Sequence, residues 1–208
     1  MRLSRRFVQP MNATIRETVE TIALAVIVFL VLQATIQNYR VEGPSMQPQF
    51  AGGELVLVNK AAYLHVDLAH LARYLPWVDG EEGGEWFFFR PPRQGEIVVF
   101  RNPRDSTEPD FVKRIIAGPG DTVEISQGQV FVNGEPLDEP YVERSSSTER
   151  LGPRVIANDN YFVLGDNRLH SDDSRRFGLV PLEHIIGKVW LSYWPLRHLG
   201  LFLTPWAR

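Results

Sequence analysis

The stretch FVKRIIAGPGD, residues 111–121, sets a lysine and an arginine inside an apolar run and then stops on a glycine–proline turn. Side chains alternate between the two faces of an extended strand. Phe111, Lys113 and Ile115 therefore share one face, and Val112, Arg114 and Ile116 share the other. The same valine- and isoleucine-rich texture recurs on both sides. ELVLVNK (54–60) and GEIVVF (95–100) precede it. TVEIS (122–126), QVFVNG (129–134), NYFVLGD (160–166) and KVWLSYW (188–194) follow it. Each reads as a strand, and TVEIS with QVFVNG predicts a hairpin turning at Gln127-Gly128. Many short strands punctuated by Gly, Pro and Asn predict a mostly β body, not alternating βα units.

Upstream the texture is helical. Residues 22–32 read IALAVIVFLVL, and Val19 to Ile36 forms an 18-residue apolar stretch. As a helix it is about 27 Å long, the short end of what a bilayer core of about 30 Å requires. Arg2, Arg5, Arg6 and Arg16 precede it, and positive charge marks the cytoplasmic flank of a span. The expected organisation is a cytoplasmic segment 1–18, a transmembrane signal-anchor 19–37 and an extracytoplasmic domain 38–208. A cleaved secretory signal is disfavoured because Leu32 is a poor small residue three before a cut after Ala34. A buried core helix would leave the arginine flank unexplained.

Composition narrows the classes. The chain has 208 residues, 44% hydrophobic and 23% charged, as a globular protein does. A net charge of -3 gives no basic excess for nucleic acid. With no cysteine there is no disulfide, thiol nucleophile or cysteine metal site. Residues 61–94 depart from the β texture. LHVDLAHLARYL (64–75) predicts a short helix with Leu64, Leu68, Leu71 and Leu75 on one side. The aromatic patch Trp86 to Phe89 fits either packing on the sheet or contact with a membrane surface. ERSSSTERLGPR (143–154) reads as a mobile loop. The C-terminal LSYWPLRHLGLFLTPWAR is too interrupted by proline to form a second span.

Three elements could carry chemistry. Ser45 lies in EGPSMQP, where Gly43, Pro44 and Pro48 restrict the backbone; a turn serine and a nucleophile both fit that setting. Lys113 has apolar neighbours on its strand face, and burial disfavours an ammonium. A neutral amine could take a serine proton, but an ordinary edge lysine fits the strand equally. GDNRLHSDDSRRFG (165–178) crowds carboxylates, amides, serines and arginines into one loop, either a charged surface loop or a cross-linked brace. No histidine triad setting, zinc HExxH, GxSxG elbow or phosphate loop appears, so no metal or cofactor is expected.

Together, GPSMQP (43–48) with FAGGELVLVNK (50–60), GEIVVF (95–100), FVKRIIAGPGD (111–121) and GDNRLHSDDSRRFG (165–178) resemble, in order, the motifs of bacterial type I signal peptidase. That resemblance implies a signal-peptidase-like β domain of coiled antiparallel sheets behind one membrane helix. It implies Ser45 as nucleophile, Lys113 as general base and Ser171 as the serine that hydrogen-bonds and orients the lysine. It further implies Asp173 and Arg175 as a bracing pair, Gly165, Asp166 and Asn167 as shapers of the supporting loop, and Met46 as a residue lining the approach to the nucleophile. Four positions depart from the pattern: Glu54 for the usual aspartate, Leu169 and His170 for Asp-Asn, and Gly43 where some members carry a serine and others glycine.

The implied activity is acyl-enzyme removal of signal peptides from exported preproteins, with small residues one and three before the cut. The implied partners are preproteins, membrane lipid and the export machinery, at a bacterial plasma membrane. A self-cleaving serine–lysine protease of the repressor type and a catalytically silent membrane-anchored peptide-binding module are the alternatives.

Overall fold

The computed structural model describes residues 11–67, 85–87, 89–104, 107, 109–142 and 148–202. It divides into two units, 1–36 and 37–208. The first is carried by helix α1 (Met11–Thr35). Within it, Ile15–Thr35 is long and apolar enough to cross a membrane. At about 1.5 Å per residue this stretch is about 32 Å long. Leu24, Phe29 and Leu32 are exposed, which is stable only under an apolar cover such as lipid.

The second unit is the expected mostly β body. Its principal sheet has the order β1 (Ile36–Arg40), β2 (Leu55–Asn59), β13 (Ile185–Trp194), β5 (Ile97–Phe100), β6 (Phe111–Ala117), β11 (Asn160–Leu164), β12 (Val180–Pro181), with β14 (Gly200–Leu201) also on β13. A second sheet runs β10 (Leu151–Val155), β7 (Thr122–Ser126), β8 (Gln129–Val132), β9 (Glu135–Pro136). β3 (His65–Asp67) pairs with β4 (Glu85–Phe87). The β7–β8 hairpin turns at Gln127 and Gly128, both at positive φ, as read from the sequence.

Alternation along the strands builds a core on each face. Ile97 and Val99 of β5 join Val41, Met46, Phe50, Val56, Val58, Val189 and Phe202. Val98 and Phe100 join Tyr63, Ile115, Tyr161, Val163, Val180 and Leu182. A third cluster around Ile116, Val123, Ile125, Phe162 and Leu164 seats the second sheet. Both faces of β5 are covered, and all four of its residues are buried.

Several local expectations change. His65–Asp67 is a strand instead of the start of a helix; the rest of the predicted helix and residues 76–84 of the excursion lie outside the described residues. Leu151–Val155 is not loop but an edge strand paired with β7; residues 143–147 lie outside the described set. Gly152 and Pro153 hide this strand in the sequence, yet an edge position tolerates a proline without an N–H.

Phe100 meets Phe111 and Phe177 with centroids 6.0 Å away in both cases, and so joins two strands to the loop that ends near Gly178. Phe100→Ala is expected to lower stability by about 3–5 kcal/mol, measured by chemical denaturation of the full chain in detergent.

Candidate active site

Ser45 sits in a chain of turns between β1 and β2. Gln47 N–H donates to Pro44 O at 3.0 Å and Phe50 N–H to Met46 O at 2.8 Å. Gly43 holds φ at +77°, a conformation in which a serine at that position would be strained. The turn is fastened to the 165–178 loop by Asn167 N–H, which donates to Ser45 O at 3.0 Å.

Lys113 projects from β6 on the face it shares with Phe111 and Ile115, and is 5% exposed. Its Nζ donates to Ser45 Oγ at 2.9 Å and to Val112 O at 3.0 Å. The Phe111 ring lies 5.1 Å from the amine. Burial lowers the Lys113 pKa from 10.5 to about 8, against the opposing fields of Asp173, Asp172 and Asp166. Desolvation wins because all three carboxylates act without a direct bond to Nζ, whereas the apolar wall surrounds it.

The bracing loop is built from buried ion pairs. Asp173 is fully buried; its carboxylate accepts from Arg175 Nε and Nη2, each at 2.7 Å, and from Gly165 N–H at 3.0 Å. Arg175 also pairs with Glu149. Arg168 pairs with Glu139 and donates from Nε to Gly165 O at 3.1 Å. Asp166 takes a bidentate pair from Arg114, at 2.8 Å from Nε and 2.7 Å from Nη2. Burial raises the Asp166 pKa, while the Arg114 guanidinium pulls it back. His170, at one of the departing positions, sits with Nδ1 3.2 Å from Asn167 Oδ1.

The sequence missed Arg114 as a brace. It stands on the opposite face from Lys113, donates from Nη1 to Gly95 O at 2.9 Å and lies 3.8 Å over the Tyr141 ring. An arginine inside an apolar strand was the available signal, because a buried charge needs a partner.

Two implied roles differ from the geometry. Met46 does not line an approach: it is wholly buried in the cluster with Phe50 and Val56, drawn inward by the turn that follows Ser45. The expected Ser171–Lys113 hydrogen bond is not formed. Ser171 Oγ is buried and lacks a hydrogen-bond partner, while the amine is held by Ser45 Oγ and Val112 O. Ser171 instead crowds Gly165. A Cβ added there would fall 2.2 Å from Ser171 Oγ and 2.5 Å from Ser45 O, so only glycine fits.

Ser45 and Lys113 open onto a cleft of about 550 Å³. One wall is Tyr39 to Glu42; the other is Pro109 to Lys113, with Asp172 beside them. Among the described residues, the β11-facing edge of β6 is paired at Arg114, Ile115 and Ala117 and not at Phe111 to Lys113. Phe111 to Lys113 thus offers backbone on that side beside Ser45.

The family model described as signal peptidase, peptidase S26, matches residues 15–194. The chain belongs to this signal peptidase family. It is 31% identical over 201 residues to "Signal peptidase I" of Leptolyngbya laminosa, covering 93% of this chain and 87% of that protein. It is 33% identical over 204 residues to "Probable signal peptidase I-2" of Synechocystis, covering 95% and 82%. With "Signal peptidase I" of Bacillus caldolyticus it shares 34% over 178 residues, covering 77% and 80%. A membrane location fits both the family and α1.

Gly165→Ala is expected to cost about 1–3 kcal/mol through overpacking. A lowered thermal midpoint of the full chain in detergent is the readout, with the wild type as reference.

Proposed function

We propose that this signal-peptidase-family enzyme removes signal peptides from exported preproteins, with Ser45 as nucleophile and Lys113 as general base. The observation that carries the reading is the 2.9 Å contact between Lys113 Nζ and Ser45 Oγ on a desolvated amine. An ammonium there donates to Oγ. Once neutral, the same nitrogen offers its lone pair to the Oγ–H and can take the proton as the hydroxyl attacks.

The steps follow from the walls of the cleft. An extended segment adds to the free edge of Phe111 to Lys113 through backbone hydrogen bonds. Its alternate side chains point to one face, so side chains one and three before the cut meet the apolar floor near Val41 and Val112. Shallow space there admits small residues, an Ala-x-Ala preference. Ser45 attacks the carbonyl carbon, and the Ser45 backbone N–H stabilises the oxyanion. Lys113 then protonates the leaving amine, and the acyl-enzyme is released by a water that Lys113 deprotonates.

The supporting residues act through position. Asp173 with Arg175, and Asp166 with Arg114, fix the loop whose Asn167 N–H holds Ser45 O. Gly165 lets that loop approach. Ser171 orients the amine by accepting one of its N–H bonds, which leaves the lone pair of neutral Lys113 for Ser45; its buried, unengaged hydroxyl supports that role.

Chain length and charge support the address. Ser45 lies only nine positions beyond Ile36, a short tether that supports a reaction near the membrane surface. The N-terminal arginines favour a cytoplasmic N-terminus and a catalytic domain on the outer face, beside the export machinery that delivers preproteins.

Ser45→Ala and Lys113→Ala are each expected to abolish cleavage of a signal-peptide-bearing preprotein in detergent. Sequencing the product's new N-terminus separates this reading from self-cleavage and from silent peptide binding. Near-normal turnover by Lys113→Ala would sink the assignment. Because the neutral amine is the base, activity rises as pH passes through about 8. A profile flat from about pH 5 to 10 would rule out a lysine base of depressed pKa.

A further inference from the structure

Glu54 is a buried carboxylate that the chemistry above leaves unused. It stands at the end of the Ser45 turn, where Val41 N–H donates to Glu54 O at 2.8 Å. Its side chain gathers three elements. Oε1 accepts from Ala51 N–H at 2.8 Å, closing the last bend of the turn. Oε2 accepts from Ser192 Oγ at 3.2 Å, on β13. Oε1 also takes the Nδ1–H of His198, from the short helical turn Leu196–His198 beyond β13. A carboxylate has no proton to give, so the imidazole is the donor in that pair.

The same C-terminal segment grips the turn a second time. Phe202 packs edge-on against Phe50, with centroids 5.1 Å apart, inside the cluster that holds Met46. The segment is itself anchored, through β14 on Leu191 and Ser192 and through Phe202 N–H to Trp190 O at 2.8 Å. The Ser45 turn is thus fixed at both ends. Asn167 holds the Ser45 end. At the other end Glu54 is held by Ser192 and His198, 138 and 144 positions later in the chain, and Phe50 by Phe202.

We propose that Pro195 to Phe202 is a strap that positions the nucleophile, with His198 and Glu54 as positioning residues for Ser45; this rests on the serine–lysine reading above. Neither side chain lines the cleft. The strap acts by limiting where the turn can carry Ser45 Oγ relative to Lys113 Nζ. Without His198, Oε1 of Glu54 retains Ala51 N–H alone, and the far end of the turn is held by Phe202 on Phe50 and Ser192 on Glu54. Of the peptide-binding walls, Val41 meets this set through its N–H on the Glu54 main-chain O and its place in the Phe50 cluster, contacts that do not involve the His198 side chain; Pro109 to Lys113 lies outside the hydrogen bonds of Glu54 and His198. Loss of the strap should therefore reduce the chemical step and leave substrate binding nearly intact.

The test is steady-state cleavage of a preprotein by the full chain in detergent, comparing wild type, Ser45→Ala, His198→Ala, His198→Asn and Glu54→Gln, with a thermal melt for each. His198→Ala is expected to lower kcat by about 10- to 100-fold, the scale of a small misplacement of a reacting group. KM should stay within about twofold of wild type. His198→Asn, whose amide N–H can stand in for Nδ1–H, should recover most of kcat. Glu54→Gln, which keeps the size but loses an acceptor oxygen, should fall with His198→Ala. Unchanged kcat in His198→Ala, or a loss that asparagine does not rescue and that follows the folded fraction, overturns the strap. A wild type that fails to cleave, or that cleaves no faster than Ser45→Ala, overturns the peptidase reading and the strap together.

Discussion

A lysine amine kept out of water is the constraint on which the rest of the body depends. Lys113 can lie against Ser45 only if the strand that carries it is covered on that face, and only if no carboxylate binds the amine directly. The cover comes from Phe111, Ile115 and the cluster beneath them. The carboxylates of Asp166 and Asp173 are each engaged by an arginine, Arg114 and Arg175. Their fields still reach the amine and oppose the shift, but burial prevails. Were either arginine absent, a buried carboxylate would be left without its ion-pair partner, which is strongly destabilising.

The body of the protein reads as a means of bringing distant pieces of chain to that amine. Ser45 and Lys113 are 68 residues apart, and Asp166 in the bracing loop lies 52 residues after Arg114. Backbone contacts close the distances: Asn167 onto Ser45, Gly165 between Ser45 and Ser171. The sheet order makes this possible by setting β6 between β5 and β11, with the 165–178 loop leaving directly from the end of β11.

Much of this was legible in the residues. Seven strands follow from alternation and β-branched composition, and the face shared by Phe111, Lys113 and Ile115 follows from the period of two. Asp173 and Arg175, which the ordered motifs single out, form an ion pair. What was not legible has physical causes. β10 contains Gly152 and Pro153, which an edge strand tolerates and a sequence pattern reads as loop. β1 follows the apolar helix without a break and is polar on its exposed face, so Ile36 reads as the end of the span although the helix stops at Thr35. The family resemblance implies Met46 as part of the approach, but the turn after Ser45 carries this side chain into the core. Arg114's pairing with Asp166 and His198's with Glu54 are tertiary, and no local period encodes them.

The central claim is that burial leaves Lys113 a usable base. The direct measurement is an NMR titration of the Lys113 amine in the intact, detergent-solubilised chain, assigned by comparison with Lys113→Ala. A titration midpoint near 8 is predicted; a midpoint at the value of a solvated lysine, about 10.4, would contradict the account.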